Sequence, residues 1–450
     1  MTTNNQKVSF TKLGSILAVI SSAVGLGNIW KFPSMVGNNG GSAFLFIYIL
    51  SSLFASLPVL LAEFYIGYKT KQSPINAINT LSNNKKIWQS ITHLSFITTL
   101  LICSFYSDVI GWSLKYFISA LTGNIQVSTI EEADALFVNT ISSPISVVVF
   151  QIIVLILTLS IISFGAIKGI EKTITISLPV LLAILIGMAC FTLTLPGRNQ
   201  ALSFLFKLDF SKITSSVLIN ALGLAFFKLS AGMVVMTNYF SNFPDDSKPA
   251  SSILKLLFAD LGVSLLCGIV IFPVIFTYTT EVPSGAGLLF VSAVVLFKKL
   301  AFGNLLLTLF MLLAFLAGIG ALISLTAYSH KYLEDRLKIS RNKACIISFI
   351  LIAFMGIFAS LSTTSVLSEY KILGKNLFDL FDYISSNIIL PLTGLLIIAL
   401  ILFEVKKDVF ETYLTNLGSN KIIIKVLSTI MTYITPLLIL FIWFDSLGLI

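Results

Sequence analysis

Apolar stretches of about twenty residues recur along the whole chain, separated by short polar segments, and each is long enough to carry a helix across a hydrocarbon core about 30 Å thick. They predict about eleven transmembrane helices, near residues 12–34, 41–68, 91–121, 144–164, 171–194, 214–240, 251–277, 302–335, 341–361, 377–403 and 422–447. A spanning helix satisfies its own backbone hydrogen bonds, so the pattern predicts an all-α integral membrane fold. Residues 1–450 read as one polytopic domain. The N-terminus is polar and the first apolar stretch runs from Leu13 well beyond the hydrophobic region of a signal peptide, so the first helix is expected to stay in the mature protein.

Composition agrees with lipid as the solvent. Of 450 residues, 56% are hydrophobic and 11% charged, and the mean hydropathy is +0.97, too few charges to coat a globular surface. The basic residues orient the chain. Lys69, Lys71, Lys85 and Lys86 follow the second stretch, and Lys168 and Lys172 the fourth. Lys331, Arg336, Lys338, Arg341 and Lys343 follow the eighth, and Lys406, Lys407, Lys421 and Lys425 the tenth. The opposite loops carry Glu131, Glu132 and Asp134, with Lys298 and Lys299 as exceptions. This asymmetry predicts a multi-pass protein of the cell inner membrane, with a cytoplasmic N-terminus and an external C-terminus. It also accounts for the formal +9 charge without a nucleic-acid partner.

Cys103, Cys190, Cys267 and Cys345 are scattered one to a span, so no disulfide framework is expected. His93 and His330 lack companions at metal-ligand spacing, and no nucleophile–base pair stands out, so neither a metal cofactor nor an enzyme is predicted.

Two apolar spans are interrupted. The run Ser21-Ser22-Ala23-Val24-Gly25-Leu26-Gly27-Asn28 breaks span one with small residues, and Phe226-Phe227-Lys228-Leu229-Ser230-Ala231-Gly232-Met233 breaks span six. Small residues also serve close helix packing. Two breaks five helices apart point further, to a five-plus-five inverted repeat with a binding site at the midplane, where unwound backbone can line a cavity. The repeats would cover about 12–194 and 214–403, with an extra helix at 422–447.

Ala23-Val24-Gly25-Leu26-Gly27-Asn28-Ile29-Trp30-Lys31-Phe32-Pro33, followed by Asn39-Gly40-Gly41, resembles the signature of the neurotransmitter:sodium symporter family. The resemblance extends through Glu63, Phe105-Tyr106 ahead of Trp112, Lys168-Gly169-Ile170-Glu171-Lys172, the segment from Pro283 to Val291, and Tyr332-Leu333-Glu334-Asp335. It implies a secondary active transporter, a symporter working by alternating access, of the bacterial branch with eleven helices that carries amino acids. The family's coupling ion is sodium.

The broken-helix ends suit a zwitterion, because exposed backbone N–H groups meet a carboxylate and half-helix C-terminal ends meet an ammonium. The resemblance places Ala23, Gly25, Leu26, Gly27, Ile102, Tyr106, Phe227, Ser230, Met233 and Leu325 around the substrate. Tyr106 would donate to the carboxylate and Phe227 would cover the pocket. Gly25 stands where animal monoamine carriers have an aspartate, which favours an amino acid. Ile102, Ser230, Met233 and Leu325 form a side-chain pocket suited to a hydrophobic or aromatic group.

For the gates, the resemblance implies an outer pair, Lys31 with Asp382, and an inner one joining Asp335 to the N-terminal segment, here Lys7 with Phe10 nearby. The ion positions depart from the family. The first sodium site maps to Asn28, Lys228 and Asp260, so a hydroxyl is replaced by an ammonium and an amide by a carboxylate. The second maps to backbone oxygens of Ser21, Val24 and Ala317 and to Gly320 and Ala321, where relatives supply two hydroxyls. The chloride positions map to Tyr48, Ser264 and Leu224. A dehydrated hard cation needs about six oxygens. The expectation is therefore that Lys228 and Asp260 form a tethered ion pair, with coupling by sodium at a reduced site, by protons through acids such as Glu63 and Asp108, or replaced by exchange. A non-transporting membrane sensor on the same fold is the alternative of another class.

Overall fold

The computed structural model describes residues 10–163, 168–279 and 287–449, and their regular structure is helical apart from one isolated bridge between Ile372 and Lys375. Every apolar stretch has become helix. Span one is Lys12–Ala23 and Gly27–Asn38, bent by 50° at the intervening residues. Span two is Ser42–Thr70, three Lys86–Leu121, four Pro144–Ser163 and five Gly169–Thr192. Span six is two pieces, Ser215–Lys228 and Val235–Phe240, joined through residues 229–234. Span seven is Ser251–Tyr278, eight Gly303–Leu337, nine Arg341–Ser362, ten Leu377–Val405 and eleven Lys421–Ser446. Span three starts a turn earlier than the hydropathy pattern predicts, because Lys86, Trp88 and Gln89 continue the helix beyond its apolar part.

Burial sorts the helices into layers. In their most apolar stretches, spans two, three and eight are 72%, 83% and 72% buried within the protein, whereas four, five and eleven are 33%, 33% and 28% buried. The first group makes the centre, with spans three and eight in the most extensive contact, and the second forms the lipid-facing belt. We call the side where Lys12 begins span one the near face and the opposite side the far face. On the far side the short helices Ile130–Ser142 and Leu288–Lys298 close over the bundle, their Phe137 and Phe290 rings stacked at 5.3 Å and both set against Trp112.

Local chemistry fixes where the broken helices begin and end. Thr11 caps span one by accepting from Gly14 N at 3.0 Å, and Thr214 caps the first half of span six by accepting from Val217 N at 3.3 Å. The break in span six holds Ser230, Gly232 and Val234 at φ 51°, 85° and 60°. Left-handed backbone at three nearby positions cannot continue a helix. Gly232 is demanded by space as well, since a Cβ there would come within 3.0 Å of Leu390 O and 3.1 Å of Gly394 N in span ten. The second half of span six is only six residues long, and its unpaired N–H groups need acceptors. Glu63 of span two supplies them: Oε1 accepts from Gly232 N at 2.8 Å, and Oε2 from Thr237 N at 3.2 Å and Thr237 Oγ1 at 3.3 Å.

Candidate functional site

The two breaks face each other across a cleft at mid-bundle. Ser22, Ala23, Gly25 and Gly27 come from span one, Ile102 and Tyr106 from span three, Ala321 and Leu325 from span eight. Phe227, Lys228, Ser230 and Met233 complete it from span six. Leu26 contributes through its backbone: its N–H donates to the Tyr106 hydroxyl at 2.9 Å. With that lone pair engaged, the Tyr106 O–H is left to donate to another acceptor. A Cβ on Gly25 would lie 2.7 Å from Tyr106 Oη and 3.1 Å from Ala321 Cβ, so any larger residue at 25 displaces the tyrosine. Ile102, Met233 and Leu325 are buried around the other end, making that end apolar.

Beside the cleft lies a fully buried charged network. Lys228 Nζ is 3.2 Å from Asp260 Oδ2 and 3.0 Å from Tyr48 Oη, and it donates to Ser264 Oγ. Both charged side chains have no exposure at all. Tyr48 Oη donates to Asp260 Oδ2 at 2.7 Å, while the Asn28 amide donates to Asp260 Oδ1 at 2.8 Å and Ser264 Oγ at 3.0 Å. The Lys228 ammonium also stands 4.7 Å from the centre of the Phe32 ring and 4.8 Å from that of Tyr48. Asn28 Oδ1 accepts from Gly25 N at 3.1 Å, so the amide ties this network to the backbone of the cleft. The Asn28 oxygen keeps a second lone pair, while the Lys228 ammonium stands beside Asp260 where the resemblance maps the first sodium position.

The second ion position differs. Ser21, Ala317, Gly320 and Ala321 are buried, with Val24 at the end of the first half of span one. A Cβ at Gly320 would stand 2.6 Å from Ser21 Oγ and 3.5 Å from Ser21 O, so Ser21 projects into the room that a side chain at 320 would occupy. Span eight offers no side-chain oxygen at 320 or 321. Besides the Ser21 hydroxyl, Ser324 Oγ lies close, donating to Gly320 O at 3.2 Å.

On the far side, Lys31 Nζ lies 3.9 Å from Asp382 Oδ2 and 4.2 Å above the centre of the Phe227 ring. If this pair closes the cleft of a transporter, as the family resemblance implies, Lys31→Ala should slow turnover far more than it weakens equilibrium binding, because closure is needed for cycling rather than for holding the ligand. Parallel uptake and binding measurements check this, and equal losses in both contradict it. On the near side, Lys7 falls outside the described residues, and Asp335 pairs with Lys331 at 3.0 Å along its own helix. Phe10 is buried, its N–H donating to Asn242 O at 3.1 Å and its ring 5.9 Å from Tyr239. Phe10, Tyr239, His330, Asp335 and Arg341 line a wide near-face cavity.

Ser22 escaped the sequence reading, and Lys228, Ala321 and Glu63 were given other roles there. Ala321, assigned there to the ion position, also lines the cleft, as does Ser22. Glu63 was read as a motif member and an intramembrane acid, whereas it holds the second half of span six. The signal was available: Glu63 is the one charged residue between Lys31 and Lys69.

The family model described as "Sodium:neurotransmitter symporter family" matches residues 6–134 and 131–448. The chain is 30% identical to the "Uncharacterized sodium-dependent transporter YhdH" of Bacillus subtilis (strain 168) over 442 residues, covering 98% of this chain and 97% of that protein. It is 28% identical to an "Uncharacterized sodium-dependent transporter" of Haemophilus influenzae, covering 99% and 100%. Its fold matches the crystal structure of MhsT in complex with L-phenylalanine with a TM-score of 0.89 at 32% identity, covering 98% of this chain and all of that one.

Proposed function

Because this chain belongs to the sodium:neurotransmitter symporter family, we propose that it is a secondary active transporter of a small zwitterionic amino acid with a hydrophobic or aromatic side chain, and no enzyme. The observation that carries this reading is the Tyr106 hydroxyl, which accepts from Leu26 N at one end of a cleft that is apolar at the other. A carboxylate at the polar end accepts a hydrogen bond from the Tyr106 hydroxyl and meets the positive end of the second half of span one, and an apolar side chain packs against Ile102, Met233 and Leu325. The structural neighbour MhsT holds L-phenylalanine, an amino acid of this class.

In this reading the near face is cytoplasmic and the chain lies in the inner membrane, as the lysine distribution indicates. Alternating access exposes the cleft first past Lys31, Phe227 and Asp382, then through the near-face cavity. Sodium, where it couples, is cargo held at the Ser21, Val24 and Ala317 position. The first position is served by the Lys228 ammonium, which neutralises Asp260 without an ion.

The test is a thermal-stability screen of the purified protein against amino acids, in sodium and in potassium, followed by uptake of the best binder into proteoliposomes. Stabilisation and saturable uptake of an apolar amino acid support the reading. Stabilisation without uptake makes the protein a sensor, and neither effect with any amino acid removes the proposal. Tyr106→Phe should weaken binding of that amino acid by about 1–3 kcal/mol through loss of a hydrogen bond to a charged carboxylate. Unchanged affinity in the folded variant would place the carboxylate elsewhere.

A further inference from the structure

Away from the cleft, the seam between spans three, four and nine holds a buried polar cluster that the transport reading leaves unused. Asp108 is fully buried, and among the described residues neither carboxyl oxygen accepts a hydrogen bond of normal geometry. Its polar neighbours are the Ser360 hydroxyl of span nine and the Trp112 indole N–H, one turn along span three. Both of these atoms are likewise unpartnered, as is Gln151 Oε1 of span four. Gln151 Nε2 donates to Ser104 O at 2.9 Å and Ser107 Oγ at 3.3 Å, on the face of span three that also carries Asp108. Gly356 makes room for that amide, since a Cβ there would stand 2.5 Å from it.

Among the described residues no cation pairs with the acid. Span four has no titratable side chain, and those of span nine (Arg341, Lys343 and Cys345) lie about 22 Å or more along the helix from Ser360. The titratable groups of span eight, from Tyr328 to Arg336, gather at its near-face end. Span ten brings Asp379, Asp382 and Tyr383 at its start and Glu404 at its far-removed end. Of these, Asp382 is engaged with Lys31 and Ser386, and Tyr383 with Ser446 O. On span three itself, Cys103 and Tyr106 lie toward the near face and Lys115 and Tyr116 toward the far face, with Asp134 beside Tyr116. An unpaired carboxylate in such surroundings is expensive, whereas a neutral carboxyl is tolerated.

We propose that Asp108, flanked by Ser360, Trp112 and Gln151, is a proton-binding site separate from the substrate cleft, loaded while the far gate is closed and emptied to far-side water when it opens. The carboxyl O–H bond breaks, its electron pair stays on Asp108, and the proton passes to water entering the seam. The packing links this site to the gate. Phe378 stacks on Trp112 at 5.6 Å and meets Phe105 edge-on at 5.5 Å, and its N–H donates to Ser362 Oγ at 3.1 Å, two residues past Ser360. Phe378 sits in the same short helix, Leu377–Asp382, that ends in the gate residue Asp382. Withdrawing Asp382 from Lys31 pulls Phe378 off the indole and off span nine, which uncovers the cluster.

Infrared difference spectroscopy of the purified full chain in lipid, without any amino acid, tests this. Wild type should show at pH 7 the C=O band of a neutral buried carboxyl that Asp108→Asn lacks. In Lys31→Ala, whose gate is unlatched, that band should weaken by about half or more at the same pH as water reaches the acid. No band difference, or a band indifferent to Lys31→Ala, overturns the proposal. Should Asp108→Asn not fold, Trp112 fluorescence reports the same ionisation: wild type should show a pH transition that is absent in Trp112→Phe and displaced in Lys31→Ala. A wild type without that transition also overturns it. No substrate enters either measurement, so failure here and failure of the transport reading are separate results.

Discussion

Lys228→Ala is expected to lose about 3–5 kcal/mol of stability, whereas Lys228→Thr combined with Asp260→Asn should recover most of it. The single change strips Asp260 of its counter-charge at a position with no exposure, leaving a carboxylate held only by Tyr48 and Asn28. The double change removes both charges and restores a neutral hydroxyl and amide. Thermal unfolding of the three purified proteins reads this directly, and a Lys228→Ala protein as stable as the wild type would dissolve the pair as a unit. The same proteins carry a second readout. Amino-acid binding by the wild type should show no first-site sodium dependence, and the double variant should gain saturable sodium activation. Two sodium ions bound per substrate in the wild type would refute the tethered-cation reading.

Glu63→Ala should be comparably damaging for a different reason. It leaves the backbone N–H groups of Gly232 and Thr237 buried without acceptors, at about 1–3 kcal/mol each. Because the second half of span six is six residues long and has left-handed backbone before it, little else holds its start. Amide exchange at residues 232–237, followed by mass spectrometry, should accelerate strongly in Glu63→Ala and less in Glu63→Gln, which keeps one acceptor. Exchange unchanged from wild type would show that packing alone holds the segment.

The helical architecture was legible because lipid imposes a simple rule: an apolar stretch of sufficient length must be a helix, and the stretches from Ser42 to Ser446 obey it. The breaks were legible because Gly25, Gly27, Ser230 and Gly232 interrupt otherwise apolar helices. Less visible were the interactions that depend on where helices cross. Nothing in the order of residues says that Ser21 Oγ fills the room beside Gly320, or that Asn28 turns its oxygen toward Gly25 N while its nitrogen reaches span seven. The Phe378 link between Trp112 and Ser362 joins residues distant in sequence through ring stacking, which has no periodicity to betray it.

An ammonium on a tether also changes the thermodynamics of the carrier. A mobile cation that crosses with its cargo brings about 2.3 kcal/mol of work per 100 mV of membrane potential, besides its own concentration gradient. At about 1.4 kcal/mol per tenfold, the voltage part alone supports more than a tenfold uphill ratio of solute. In the proposed reading the Lys228 side chain balances Asp260, yet it returns with the protein and delivers no net charge. A carrier built this way forgoes the accumulation that a first sodium would drive, and in exchange it keeps its site neutral when external sodium is scarce.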